Sequence, residues 1–399
     1  MNQQKKLKIG IDARFVGPEG TGLGKYTEKL IENLAILDSK NQYVIFLRQS
    51  NWDWLNLKSK NFKKILANVP WYSLKEQIKL PKIFSKQNLD LLHVTHFNAP
   101  IFYKSKFIVT IHDLIHHRFT QESATTHNPY VFKIKRFAYH HVIAHAINAS
   151  QTILTPSNFV KNEIVKTFRV DPAKITVTYE AAEEEYSRKP QTPDPGTQNL
   201  LGEYNIKQPF IIYVGNAYPH KNLERLLEAF EILTKRHSRS AQRNDQAHSG
   251  SEKELKLVLV CPRDIFWKRL KEKIEELRLE EKVILTGYIP PKELSEVLRS
   301  AQVYVFPSLS EGFGIPGLNA MAAGLPVVCS NIPTLKEVYG DAALYFNPGS
   351  PKDIAAKIKQ VMTDKKTRSE LVKKGQNHVK KYSWQKMAQE TLKVYETAI

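Results

Sequence analysis

The chain has 399 residues, 42% of them hydrophobic and 25% charged, and 59 Lys and Arg against 40 Asp and Glu give it a net charge of +19. That length suits two folded domains, and the composition excludes a disordered or fibrous chain. Cys261 and Cys329 are the only cysteines and lie in apolar strand-like runs, which fits a reducing cytosol rather than a disulfide framework. The N-terminal MNQQKKLKIGIDAR lacks the apolar core of a secretion signal, and no apolar run approaches the roughly 20 residues of a membrane helix, so a cytoplasmic protein is expected. The positive balance favours anionic partners without choosing among nucleic acid, acidic lipid and phosphorylated substrates; a basic solvated surface explains it equally well. No zinc finger, RNA-recognition signature or basic zipper is present, so no nucleic-acid partner is expected.

Along the first half, LKIGIDA leads to a helix from Gly24 to Leu37 and then to YVIFLR. DLLHV, FIVTI, TILTP and KITVTY follow, with helical patterns between most of them. The second half gives PFIIYVG, a helix from Leu223 to Arg236, LKLVLVC, a helix from Ile265 to Leu277, and KVILTG. It continues with VYVFP, a helix from Pro316 to Ala323, PVVCS and ALYFN. Strands alternating with helices predict parallel sheets covered by helices, and two such runs predict two doubly wound, Rossmann-like α/β domains. The expected division is an N-terminal domain over 1–186, a linker over 187–204, a C-terminal domain over 205–381 and a last helix over 382–399. The linker rests on the Pro- and Gly-rich SRKPQTPDPGTQNLLG, Ser187–Gly202; a second irregular stretch, His237–Glu252, reads as a surface loop.

Candidate site residues fall at the ends of strands. Gly17–Gly24, GPEGTGLG, follows the first strand and opens a helix, a cradle for phosphate or carboxylate, although a tight turn accounts for the glycines too. It matches neither GxxxxGK[ST] nor GxGxxG. His112, in TIHDL, ends a strand where open α/β sheets bind ligands; Asp113 either orients it or caps the next turn. His141 and His145 share a helix face, but Val142 stands where HExxH has Glu, and packing histidines are the better reading; no metal is expected. No Asp-x-Asp triplet offers a carboxylate clamp for a metal–nucleotide complex. After PFIIYVG, Lys221 precedes a helix whose positive end suits a phosphate. In EGFGIPGLNAMAAG, Glu311–Gly324, Glu311 suits hydroxyl groups, Gly312 and Gly314 expose N–H groups at a helix start, and Asn319 lies a turn further on.

These stretches, together with TPSNFVKNEI, VTYEAAEEEY, VGNAYPHKNLERLLEAF and YSWQKMAQETLKVYE, resemble the retaining glycosyltransferases of the GT-B fold, group 1 (family 4), mannosyltransferase-type members above all. The resemblance implies two Rossmann-like domains facing a cleft, with the last helix crossing back to the N-terminal domain. It implies a nucleotide-diphosphate sugar as donor, with a GDP- or UDP-linked hexose, and a glycan or lipid-linked glycan as acceptor, with no cofactor and no metal. It implies that Glu311 binds sugar hydroxyls, Lys221 the pyrophosphate, and His112 the donor sugar near the reacting carbon; these three form the catalytic set. Gly22 would face phosphate and acceptor, and the backbone at Phe313, Gly314 and Ile315 would meet sugar and phosphates. Gly215, Asn216, His220 and Asn319 complete the donor-binding set. There are two departures from the pattern: Asn319 stands where a second Glu normally binds ribose, and Asn216 and His220 stand where an arginine is usual, with Arg225 as a candidate substitute. The departures leave open a non-catalytic sugar- or nucleotide-binding relative; a GT-B epimerase is a further alternative. Asn51–Gln87, which mixes Trp52, Trp54, Trp71 and Tyr72 with lysines, suits either packing or an anionic membrane, with the protein peripheral on the inner face.

Overall fold

Apolar residues fill nearly every strand position, as they do when a parallel sheet is covered by helices on both faces. The computed structural model describes residues 6–118, 129–188, 196–241 and 254–399. Contacts divide the described residues into a first unit, 6–118, 129–180 and 382–399, and a second, 181–188, 196–241 and 254–381.

The first unit holds β1 (Lys8–Asp12), β2 (Gln42–Leu47), β3 (Phe62–Leu66), β4 (Leu91–Val94), β5 (Phe107–Thr110), β6 (Ile153–Thr155) and β7 (Ile175–Val177). They form one sheet in the order β3-β2-β1-β4-β5-β6-β7, with parallel pairing throughout. The last helix, Trp384–Thr397, packs on the helix Thr21–Leu37, and its Tyr395 hydroxyl meets His93 Nδ1 at 2.7 Å. Burial pushes the His93 imidazole down to about 3, so this ring is a neutral structural link. At the carboxyl end of β1 lies a charged knot. Arg14, fully buried, donates from Nε and Nη2 to Asp12 at 2.8 and 2.7 Å and from Nη2 to Glu76 at 2.6 Å. Glu76 also accepts from Asn98 and from the Tyr72 N–H.

The second unit holds β8 (Phe210–Val214), β9 (Lys256–Val260), β10 (Val283–Leu285), β11 (Tyr304–Phe306), β12 (Val327–Ser330) and β13 (Ala343–Phe346). Their order, β10-β9-β8-β11-β12-β13, reverses between β8 and β11, again with every pair parallel. Ligands of doubly wound sheets bind outside the carboxyl ends of the strands at such a reversal.

Two expected boundaries differ from the structure. The contact division falls after Glu180 rather than after 186, because Arg299 Nη2 bonds the carbonyls of Glu185, Tyr186 and Arg188 and ties that segment to the second unit. Of the expected linker, Gly196–Glu203 is helical, with Leu201 buried, and 189–195 lie outside the described residues. The helix expected to stop at Arg236 runs from Leu223 to Ala241; the rest of the expected loop, 242–252, lies outside the described residues.

Candidate active site

Lys221 and Glu311 are brought together in the second unit. Lys221 ends a 3-10 turn, Pro219–Lys221, after β8, and Asn222 follows in the left-handed region at φ 60°. Asn222 Nδ2 donates to the carbonyls of Pro307 and Pro348, at 3.0 and 2.9 Å, which pins this turn to the loop after β11. The His220 carbonyl accepts from the Leu309 N–H at 2.7 Å. Glu311 is fixed from the other side: Thr334 Oγ1 donates to its backbone carbonyl at 2.9 Å. The outcome is an ion pair, Lys221 Nζ to Glu311 Oε1 at 2.7 Å, with side chains only 14% and 10% exposed. The sequence assigns these groups to different parts of a ligand; here each is the other's partner.

The surrounding groups suit a polar ligand. The helix Ile315–Ala322 starts at Gly314, whose φ of 107° belongs to glycine; a Cβ there would lie 2.5 Å from the Tyr339 hydroxyl oxygen. This start has no side-chain cap, so its positive end is available to an anion. Phe313, just before it, is buried. Asn216 Oδ1, Ser308 Oγ and Ser330 Oγ are buried atoms that accept or donate no hydrogen bond within the described residues. They follow or end β8, β11 and β12, three neighbouring strands, at the same carboxyl edge as Lys221 and Glu311. The sequence reading missed both serines; their only signal is the last polar position of FPS and VCS. Gly215 closes β8 by donating its N–H to Val260 O at 3.0 Å. Arg225, the candidate substitute for a missing arginine, is half exposed and lies 3.9 Å from Glu228.

Asn319 is occupied within the protein. Its Oδ1 accepts the Glu183 N–H at 2.9 Å, and its Nδ2 lies 3.4 Å from Glu183 Oε1. Both side chains are buried, so the carboxylate that position 319 lacks stands beside it, on Glu183. An Asn319→Glu change would put a second buried carboxylate against Glu183. We expect it to cost about 1–3 kcal/mol of stability, read as a lower melting temperature; a melting temperature that holds would place Glu183 elsewhere.

In the first unit, His112 follows β5 and is held at both nitrogens. Nδ1 lies 3.1 Å from Glu180 Oε1, and Nε2 lies 3.0 Å from the Thr95 carbonyl. Both partners are acceptors, so each of these bonds requires a ring N–H. Thr95 follows β4, the strand beside β1 where the order of this sheet reverses. Tyr26 packs edge-on against the ring at 4.6 Å, and burial pushes its phenol pKa up. Asp113 caps rather than orients: its Oδ1 accepts the Ile115 N–H at 2.9 Å. Glu180 lies in the VTYEAAEEEY stretch, but nothing local marks it as the partner of a residue 68 positions away.

The glycine loop splits by role. A Cβ on Gly24 would lie 2.5 Å from Phe15 O and 2.7 Å from Gly17 O, so packing alone requires that glycine. A Cβ on Gly22 would meet nothing within 4 Å. Gly22 lies in the first turn of the helix Thr21–Leu37, so Gly22→Ala should raise stability by up to about 1 kcal/mol. If Gly22 faces a ligand, the same change lowers turnover; a stabilised variant with full turnover removes it from the site. Among the described residues no group of three or more His, Cys, Asp and Glu is arranged to hold a metal ion, and His141 Nδ1 bonds the Phe137 carbonyl at 3.0 Å.

Residues 201–378 match the family description "Glycosyl transferases group 1", and residues 22–185 match "Glycosyltransferase Family 4". The chain belongs to the group 1 glycosyltransferases. This glycosyltransferase is 27% identical to O-antigen chain mannosyltransferase B of Escherichia coli, over 94% of this chain and 96% of that one. It is 26% identical to the O-antigen chain mannosyltransferase RfbU of Salmonella typhimurium, over 94% and 95%. Its fold is GT-B: the crystal structure of Anabaena Alr3699/HepE in complex with UDP-glucose matches with a TM-score of 0.72 at 14% identity, over 98% of this chain and 100% of that one. No described helix of this group 1 enzyme is long and apolar enough to cross a membrane.

Proposed function

We propose that this glycosyltransferase is a retaining, metal-independent hexosyltransferase. It moves a mannosyl unit from a nucleotide-diphosphate sugar, GDP- or UDP-linked, to a hydroxyl of a growing glycan or lipid-linked glycan. The observation that carries this reading is the Lys221–Glu311 pair, set at the carboxyl edge of β8 and β11 beside the uncapped start of the helix Ile315–Ala322. The mannosyl unit and the glycan acceptor are supported by the names of the two O-antigen mannosyltransferases, which align with nearly the whole chain.

When the donor enters, its diphosphate competes for Lys221, and the helix start adds N–H dipoles to the same charge. Both stabilise the departing diphosphate, where negative charge grows in the transition state. Glu311, freed from Lys221, accepts hydrogen bonds from sugar hydroxyls and steadies positive charge at the anomeric carbon. Asn216 Oδ1, Ser308 Oγ and Ser330 Oγ supply further contacts from the same edge. On the first unit, His112 meets the transferred sugar by exchanging the bond from Nε2 to the Thr95 carbonyl for one to a sugar hydroxyl, while Glu180 holds Nδ1. The departing phosphate takes the acceptor's proton, so no separate base is assigned.

A thermal-shift screen of GDP- and UDP-sugars tests the donor assignment. A cognate donor at a hundredfold excess over its Kd adds about 2.7 kcal/mol of apparent stability. A panel in which no nucleotide sugar raises the melting temperature overturns the reading. Asn319 in place of a second Glu favours one alternative, a binding protein without turnover. Calorimetry showing tight donor binding, with no product on any glycan acceptor, would establish that alternative.

A further inference from the structure

The buried knot of Arg14, Asp12 and Glu76 ties together the loops at the carboxyl ends of neighbouring strands. Arg14, after β1, donates from Nη1 to the carbonyl of Val69, after β3, at 3.2 Å. Glu76 accepts from the Tyr72 N–H in that same loop at 2.9 Å, and from Asn98, after β4. Asn51, after β2, donates from Nδ2 to the carbonyls of Ala13, Arg14 and Val16 at 3.2, 3.1 and 2.9 Å. The side chains these loops present are mostly rings. Phe15 stacks on Trp71 at 4.4 Å and meets His96 at 5.1 Å, and Tyr72 stacks on Phe97 at 6.0 Å. Phe15 and Arg48 cover Trp71, whereas Tyr72 is 58% exposed. Tyr72 sits at φ 54°, a conformation uncommon for a residue with a Cβ, and its bond to Glu76 holds it there. Within the same cluster His96 Nδ1, Trp71 Nε1 and Arg48 Nε are buried and make no hydrogen bond among the described residues. Folded proteins rarely leave such atoms together without a reason. His96 is only 8% exposed. Burial, helped by the nearby His112, His116 and Arg14, holds its pKa well below the usual imidazole value, so the ring is neutral.

We propose that this ring cluster is a pyranose subsite for the acceptor's terminal sugar, with Tyr72 as its stacking face and His96 Nδ1 as a hydroxyl contact. A sugar ring matches both features. One side of it is a face of C–H bonds, which packs on an aromatic ring, and its hydroxyls both donate and accept. A neutral imidazole nitrogen can take either role toward such a hydroxyl. An acyl chain would leave the buried nitrogens unpaired, and a phosphate would find the Arg48 guanidinium already paired with Glu19 at 3.1 Å. The cluster also adjoins His112, whose Nε2 bonds the carbonyl of Thr95, the residue before His96. Transfer requires a second substrate, and Lys221 with Glu311 accounts for the donor alone. The knot then has a purpose beyond folding: it fixes Tyr72 and the rings around it before the ligand arrives. That the occupant is the acceptor rests on the proposed transfer; the subsite itself does not.

Saturation-transfer NMR of the full chain tests it, with the methyl pyranosides of mannose, glucose, galactose and N-acetylglucosamine as probes. GDP and UDP are added in excess to fill the donor site. The ring C–H protons of at least one pyranoside should receive saturation from the protein. Tyr72→Ala should abolish that signal, and Tyr72→Trp, which keeps an aromatic face, should retain it. With a glycan ending in the same sugar as acceptor, Tyr72→Ala should raise the acceptor KM about tenfold or more and change kcat less than about twofold. His96→Phe should raise that KM as well without lowering the melting temperature, because it removes a buried polar atom that has no partner in the protein. No saturation on any pyranoside overturns the proposal, as does a signal or a KM that Tyr72→Ala leaves unchanged; the donor reading survives both. A pyranoside that binds through Tyr72 but is never glycosylated by any nucleotide sugar overturns the acceptor role and the transfer reading together.

Discussion

Replacing Glu311 by alanine should lower the rate of sugar transfer by about 100- to 1000-fold, the usual cost of removing one well-placed electrostatic contact from a transition state. Glu311 is held by its backbone bond to Thr334 and by Lys221, so its carboxylate is fixed before any ligand arrives. The variant loses the group proposed to bind the sugar and leaves the Lys221 ammonium without its partner. The two consequences separate by ligand. A nucleoside diphosphate, which carries no sugar, should bind at least as tightly as to the wild type, because Lys221 no longer has to leave Glu311. The nucleotide sugar should turn over far more slowly. Glu311→Gln keeps shape and hydrogen bonding without the charge, and should fall between the two. Transfer that is unchanged in Glu311→Ala would sink the assignment.

The largest loss of stability should follow Arg14→Met. Arg14 is fully buried between Asp12 and Glu76, and burial raises the Glu76 carboxyl pKa even against the pull of the guanidinium. Removing the cation leaves two carboxylates buried without it, at a cost of about 3–5 kcal/mol. The pH dependence gives a second check. In the variant the Glu76 carboxyl, raised by burial and no longer countered by the guanidinium, holds its proton more tightly when folded than when unfolded. Stability therefore falls as pH rises through the folded pKa, and the deficit should be larger at neutral pH than in mild acid. Urea unfolding across that range measures it; a deficit below about 1 kcal/mol at neutral pH would mean that the knot contributes little.

Much of the fold was legible because parallel strands buried on both faces are written as uninterrupted apolar runs, as in FIIYV of β8 and VVCS of β12. β3 was missed. Its sequence FKKIL carries lysines and partial exposure, as an edge strand does, and so resembles neither a core strand nor a helix. Lys221, Glu311 and His112 could be found from sequence because position at a strand's carboxyl end marks them. Glu183 could not, since its meaning depends on Asn319, 136 residues away, and that pairing exists only once the second unit has folded. Likewise Asp12, Arg14 and Glu76 are ordinary charged residues in the sequence; only the fold turns them into a buried knot.

The proposed reaction is transfer of a mannosyl unit from a nucleotide-diphosphate mannose with retention at the anomeric carbon. Following the anomeric proton signals by NMR, while the wild-type protein acts on GDP- or UDP-α-mannose with a mannose-terminated acceptor, measures it directly. The account predicts an α-linked product that accumulates as the donor signal decays, and that is almost absent with Glu311→Ala. A β-linked product, or a donor that binds tightly and is never consumed with any acceptor, would contradict it.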